Sequence, residues 1–97
     1  FDIEALNLLA SALLAQGKSG EGLELLGRVA ELQPKSSEAK ARLGAGFLAA
    51  GLDDLGVETL RKILEDDPSY EQADILIVLN YLQQRDIENA IKAAQQY

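Results

Sequence analysis

The chain has no cysteine, histidine, methionine or tryptophan, and its 97 residues include only two prolines. Without cysteine or histidine it can build no disulfide, no zinc site of the usual kind and no Ser-His or Cys-His nucleophile pair. Cations are scarce as well, nine Lys and Arg against sixteen Asp and Glu, for a net charge of −7. A surface of that sign cannot displace the counterions of a polyphosphate, so nucleic acid is not an expected partner. Long apolar runs are missing. The longest, Ile75 to Leu79, falls far short of the ~20 residues that cross a bilayer, and no basic-then-apolar leader precedes Asp2. No membrane insertion by this segment is therefore expected. No glycine-rich phosphate loop and no nucleophile with a partner base occurs, which points away from an enzyme and from any cofactor. The acidic clusters Asp53-Asp54 and Glu65-Asp66-Asp67 match no calcium loop and are expected to be solvated surface, so no metal is expected either. Beginning at Phe1 with no methionine anywhere, the chain reads as a segment of a longer protein. What is present, 47% hydrophobic and 26% charged residues, is the composition of one small folded domain.

Pro34 and Pro68 stand 34 residues apart, and the same shift brings much of the chain into register with itself. Large apolar positions align as Leu9, Leu43, Ile77; as Leu14, Leu48, Leu82; and as Leu23, Val57, Ile91. Small ones align as Ala5, Ala39, Ala73 and as Gly22, Gly56, Ala90. Within each unit apolar residues recur at three- and four-residue steps, the period of a helix rather than a strand. Six helices are predicted, at about 3–16, 20–32, 37–50, 54–66, 70–84 and 87–96. Gly17 and Gly51 fall where a left-handed residue ends the first helix of a unit, and Arg85 breaks that rule in the third. Ser19, Asp53 and Asp86 are available to cap the second helices, and Ser69 with Gln72 reads as a capping box for the fifth. The register predicts burial of Leu9, Leu43, Ile77, Leu26, Leu60 and Ile63.

This pattern resembles the tetratricopeptide (TPR) repeat over the whole chain. The middle unit carries it best, with Leu43-Gly44, Phe47, Gly51, Gly56, Leu60, Ile63 and Pro68. The resemblance implies an all-α, right-handed α-solenoid of about three helix-turn-helix repeats: one domain over 1–97, with units 3–36, 37–70 and a truncated 71–97. Glycine replaces the family's usual alanine at 22 and 56, at a cost of about 1 kcal/mol in helix propensity, and so predicts close backbone approach to Ala10 and Gly44. A narrower resemblance covers Ala41 to Ala94, through Leu48-Ala49-Ala50-Gly51, Asp67-Pro68 and Ala90-Ile91-Lys92-Ala93-Ala94. These stretches look like the TPR lipoproteins that accompany bacterial PEP-CTERM/exosortase systems. That likeness implies a periplasmic or outer-membrane-attached parent involved in exopolysaccharide production; without it, a cytoplasmic one is expected.

The resemblance also implies a concave ligand face lined by the first helix of each unit. It carries Glu4, Asn7, Ser11 and Leu14, then Glu38, Ala41, Ala45 and Leu48, then Gln72, Ile75, Leu79 and Leu82, grading from polar to apolar. Family members that grip a partner's C-terminal carboxylates use Lys, Asn and Arg here. This chain offers Asn7, Ser11, Arg42, Gln72 and Leu76, with one cation, and departs from that clamp. The expected function is a non-catalytic scaffold for a protein or peptide, touched by Asn7, Ser11, Leu48, Ile75, Leu79 and Leu82. The alternative is a regulatory or spacer segment of a larger enzyme. The apolar run in the fifth helix marks a helix buried on more than one face: either its bulky residues fill the space between the second and third units, or the second face needs a further cover. A ligand, a second copy of the chain, or a neighbouring repeat of the parent would each provide one.

Overall fold

Apolar residues at helical spacing close into six helices in the computed structural model, which describes residues 2–96. They are α1 (Ile3–Ala15), α2 (Ser19–Leu32), α3 (Ser37–Ala49), α4 (Asp53–Asp66), α5 (Glu71–Gln83) and α6 (Ile87–Gln96), with no strand among the described residues. Each odd helix packs on the even helix that follows it, and α2 and α4 in turn carry α3 and α5. No pair can bury its apolar stripe alone, so the pairs stack into a body of 40 × 28 × 16 Å. The core lies where the second and third pairs meet, around Val57, Leu60, Ile63 and Leu64 of α4 with Ala73 and Ile77 of α5.

Burial follows position in the stack as much as residue type. Leu26, Leu60, Ile63 and Ile77 are buried as expected, but Leu9 is 51% exposed and Leu43 only half-buried, while Ile77 at the same repeat position is 0% exposed. This position faces the preceding pair. Ile77 lies against α4, whereas Leu9 has no pair before it among the described residues.

The three first helices end alike. Gly17 and Gly51 both have φ 81°, and Arg85 follows them into the left-handed region at φ 59°. The N–H of the next residue then donates back five positions, Lys18 to Leu13 (2.8 Å), Leu52 to Phe47 (2.9 Å) and Asp86 to Tyr81 (2.8 Å). These are Schellman closures, and they fix where each second helix begins. The cap position is therefore 18, 52 or 86, which places Ser19 and Asp53 one residue too late. Lys18 and Leu52 stand at the caps of α2 and α4 without a side-chain bond. Asp86 does cap α6, accepting from the Asn89 N–H (3.2 Å) and Nδ2 (2.7 Å). Those bonds hold its carboxyl below the ordinary carboxylate range. The Ser69–Gln72 capping box does not form, because the equivalent caps are Asp2 and Ser36, one register position later. Asp2 Oδ1 accepts from the Ala5 N–H (3.2 Å) and Ser36 Oγ from the Ala39 N–H (3.0 Å), while Tyr70 fills the place before α5 with no side-chain bond. Ser69 donates instead to Asp67 (2.9 Å), which also accepts from Ser37 (3.4 Å) and is thus tied into the turn rather than left wholly to solvent.

The expected backbone approach at the glycines is present. A Cβ on Gly56 would lie 2.5 Å from Leu48 Cδ2 and 3.1 Å from the Gly44 carbonyl oxygen, and one on Gly22 would lie 3.1 Å from the Ala10 carbonyl oxygen. Gly46, unremarked in the sequence, is equally tight: a Cβ there would reach 2.7 Å from Leu26 Cδ1, where α3 rests on α2.

Candidate functional site

Since α2, α4 and α6 take the outer side of their pairs, α1, α3 and α5 face one another across two shallow grooves. Between α1 and α3 the lining is Glu4, Asn7, Leu8, Ser11 and Arg42, around a cavity of about 320 Å³. Between α3 and α5 it turns apolar. Ala41, Ala45 and Leu76 continue into a stretch closed by Leu48, Ala49 and Leu79, with Glu38 and Gln72 at the polar end.

In the first groove Asn7 Oδ1 is buried with no hydrogen-bond partner. An orphaned buried acceptor costs about 1–3 kcal/mol. Asp74 carries a second such oxygen but lines neither groove. Arg42 lines both grooves and donates to Glu38 at 2.8 Å, a solvent-exposed pair one helical turn apart. Such pairs are worth about 0.3–0.5 kcal/mol, so the guanidinium can turn to a partner carboxylate at little cost. Near the polar end of the second groove, burial pushes the Tyr70 hydroxyl up, Glu38 adds to the shift and Arg42 opposes it. The hydroxyl keeps its proton and donates to Gln72 Oε1 at 3.0 Å.

The six residues singled out from sequence thus divide. Asn7 and Ser11 share the polar groove, and Leu48 and Leu79 share the apolar one. Ile75 and Leu82 are exposed yet line neither. Leu76, named from sequence at a clamp position, lines the apolar groove, whereas Leu8 and Gln83 were not singled out. The signal for Leu8 was available in the repeat register, where it shares a position with Arg42 and Leu76; Gln83, aligned with Ala15 and Ala49, carried none. Nothing in this lining supplies a nucleophile with a base, and the described residues hold no group of three or more carboxylates placed to bind a metal ion.

No protein-family model and no curated protein matches the chain. Among solved structures, a mutant of MamA, a TPR-repeat protein, superposes on 97% of this chain with a TM-score of 0.69 at 21% identity. MamA AMB-1 does so over 97% of the chain with a TM-score of 0.65, again at 21% identity. The chain spans about half of those structures, 52% and 54% of their lengths. The likeness is one of fold: six helices stacked as TPR-like helix-turn-helix repeats.

Proposed function

We propose that the chain, taken as units 3–36, 37–70 and 71–97, is a non-catalytic scaffold that binds a peptide or protein segment along the α1–α3–α5 grooves. The observation that carries this reading is the cavity of about 320 Å³ rimmed by Asn7, Ser11 and Arg42 and continuous in direction with an apolar groove. A bound segment would meet the polar side chains of Asn7, Ser11 and Arg42 in the first groove and set an apolar side chain against Leu48, Leu76 and Leu79 in the second. The likeness of Ala41 to Ala94 to envelope-associated TPR lipoproteins supports a role in an envelope assembly connected with exopolysaccharide.

A second reading, a spacer packed within a larger parent such as an enzyme, is favoured by one observation. Ile75 and Leu82 are exposed, while their equivalents in the second unit, Ala41 and Leu48, are buried and half-buried beneath the third. Selecting binders from a displayed peptide library on the 97-residue chain separates the two readings. Under the first, the selected peptide loses at least tenfold in affinity, about 1.4 kcal/mol, on Asn7→Leu and on Leu79→Glu, with circular dichroism unchanged. A peptide indifferent to both variants, or no peptide at all, leaves the spacer reading.

A further inference from the structure

The outer junction of α4 and α5 holds a cavity of about 450 Å³ on a different side of α5 from the Leu48–Leu79 groove. A pair added after α6 would not close it. Glu24, Arg28 and Glu31, at the equivalent junction of α2 and α3, are exposed although the third pair follows the second there, so the opening belongs to the junction itself. Val57 and Asn80 are its buried lining residues, 7% and 5% exposed. At the position of Asn80 the earlier repeats carry Ala12 and Gly46, so the stack asks only for a small residue there and the amide answers to something else. Among the described residues that amide takes no hydrogen bond, and burying it unpartnered is costly. Unlike the sealed oxygen of Asn7 it keeps some accessible surface, and apart from this cavity it borders only the end of an apolar groove.

The rim of the cavity is charged, with Asp53, Asp54, Glu58 and Glu65 against Arg61 and Lys62. Part of that charge is satisfied within the rim. Gln84 Nε2 donates to Asp53 Oδ2 at 2.6 Å, Arg61 Nη2 to the Tyr81 hydroxyl at 2.8 Å, and Lys62 pairs with Glu58 at 3.3 Å. Asp54 and Glu65 have no such partner among the described residues, which leaves an excess of negative charge in a chain already at −7. A carboxylate ligand could reach Arg61 only against that field. The carboxylates do not converge on a single ion either, since no group of three or more among the described residues is placed to hold a metal. They are strung along α4, with Asp54 and Glu58 one turn, about 6 Å, apart. Alternate side chains of an extended peptide repeat at about 7 Å on one face, a close match. We infer that this junction is a second binding surface, for a basic segment of a partner protein that lies extended along α4. One lysine or arginine side chain enters the cavity and donates to the Asn80 side-chain oxygen, and the next stands over the α4 carboxylates. The inference does not depend on a ligand in the concave grooves.

Amide NMR spectra of the 97-residue chain, titrated with the blocked peptide acetyl-Lys-Gly-Lys-Gly-Lys-amide, test this. Shifts should centre on Asp54, Glu58, Asn80 and Tyr81, and the affinity should fall as salt is added. Asn80→Ala, which installs the residue of the first repeat, should weaken the peptide about tenfold, the worth of one hydrogen bond to a charged group. Its melting temperature should stay level or rise. An amide with only a structural role would give the reverse, lower stability with affinity unchanged. Asp54→Asn, at an exposed position, repeats the test without touching the core and should weaken the peptide about threefold, as loss of one exposed ion pair does. Glu24→Gln, at the place on α2 equivalent to Glu58, and Glu38→Gln in the groove should leave the affinity as it was. Shifts spread evenly over the acidic surface or centred on Glu4 and Glu38 overturn the inference, as does full affinity in both Asn80→Ala and Asp54→Asn. Spermidine binding as tightly as the peptide also overturns it, since the cavity would then be a site for a free polyamine.

Discussion

Replacing Arg85 by glycine isolates one physical effect. The three Schellman turns are superimposable in their hydrogen bonds, yet two use glycine at φ 81° and the third holds arginine at φ 59°. A Cβ in the left-handed region crowds the following carbonyl and costs about 1–2 kcal/mol. Glycine gives back part of that gain, about 0.5–1 kcal/mol, through its greater freedom in the unfolded chain. Among the described residues the Arg85 side chain is exposed and enters no ion pair or hydrogen bond, so nothing else is lost. Arg85→Gly should therefore stabilise the fold by about 0.5–1 kcal/mol, with a melting temperature a few degrees higher for a domain of this size. Arg85→Ala is the control, because it removes the charge and keeps the Cβ. Urea denaturation followed by far-ultraviolet circular dichroism should rank glycine above both alanine and arginine. If alanine matches or exceeds glycine, the backbone at residue 85 is not strained, and the equivalence of the three turns is wrong.

Gly56→Leu should lose stability although leucine is the better helix former by about 1 kcal/mol, because its Cβ has no room against Leu48 and the Gly44 carbonyl. A rise in melting temperature would show that α3 and α4 do not touch closely there. Leu60→Ala, at a side chain with 0% exposure in the core under α5, should cost about 2–5 kcal/mol, whereas Leu9→Ala on the open face of α1 should stay within about 0.5 kcal/mol. Equal costs in chemical denaturation would mean that Leu9 is covered in solution.

The 34-residue period and the helical spacing within it made the six helices readable, since both depend on which residues recur and not on what surrounds them. The glycine contacts were readable for the same reason: Gly22 and Gly56 depart from a small-residue pattern whose only use is close approach. The caps were misplaced by one residue because Ser19, Asp53 and Ser69 are good capping types standing next to the cap position, and the Schellman closure at Gly17 and Gly51 decides which of two neighbours is the cap. Leu9 is open because its repeat position faces a preceding pair and the described residues hold none before α1, which a repeat alignment does not register. The division of the concave face into two grooves was not readable at all. It depends on the offset between α3 and α5, which brings Leu76 and Leu79 opposite Ala45 and Leu48.

Exposed apolar residues on a repeat stack have two causes, and the repeat itself separates them. Where a position is exposed only in a terminal unit and covered in the internal one, its exposure reports a missing neighbour. Ile75 against Ala41 and Ile91 against Val57 are of this kind. Where a position remains accessible in the internal unit too, its exposure belongs to the groove. Ser11, Ala45 and Leu79 are exposed, half-buried and exposed, and Glu4, Glu38 and Gln72 are exposed in all three units. On the proposed reading a ligand would meet the second set. On that reading the polar character of the second set in α1 would put the directional hydrogen bonds at one end of the groove and the apolar contact of Leu79 at the other. An extended segment bound there would accordingly be oriented, with its apolar anchor over α5 and its polar contacts over α1.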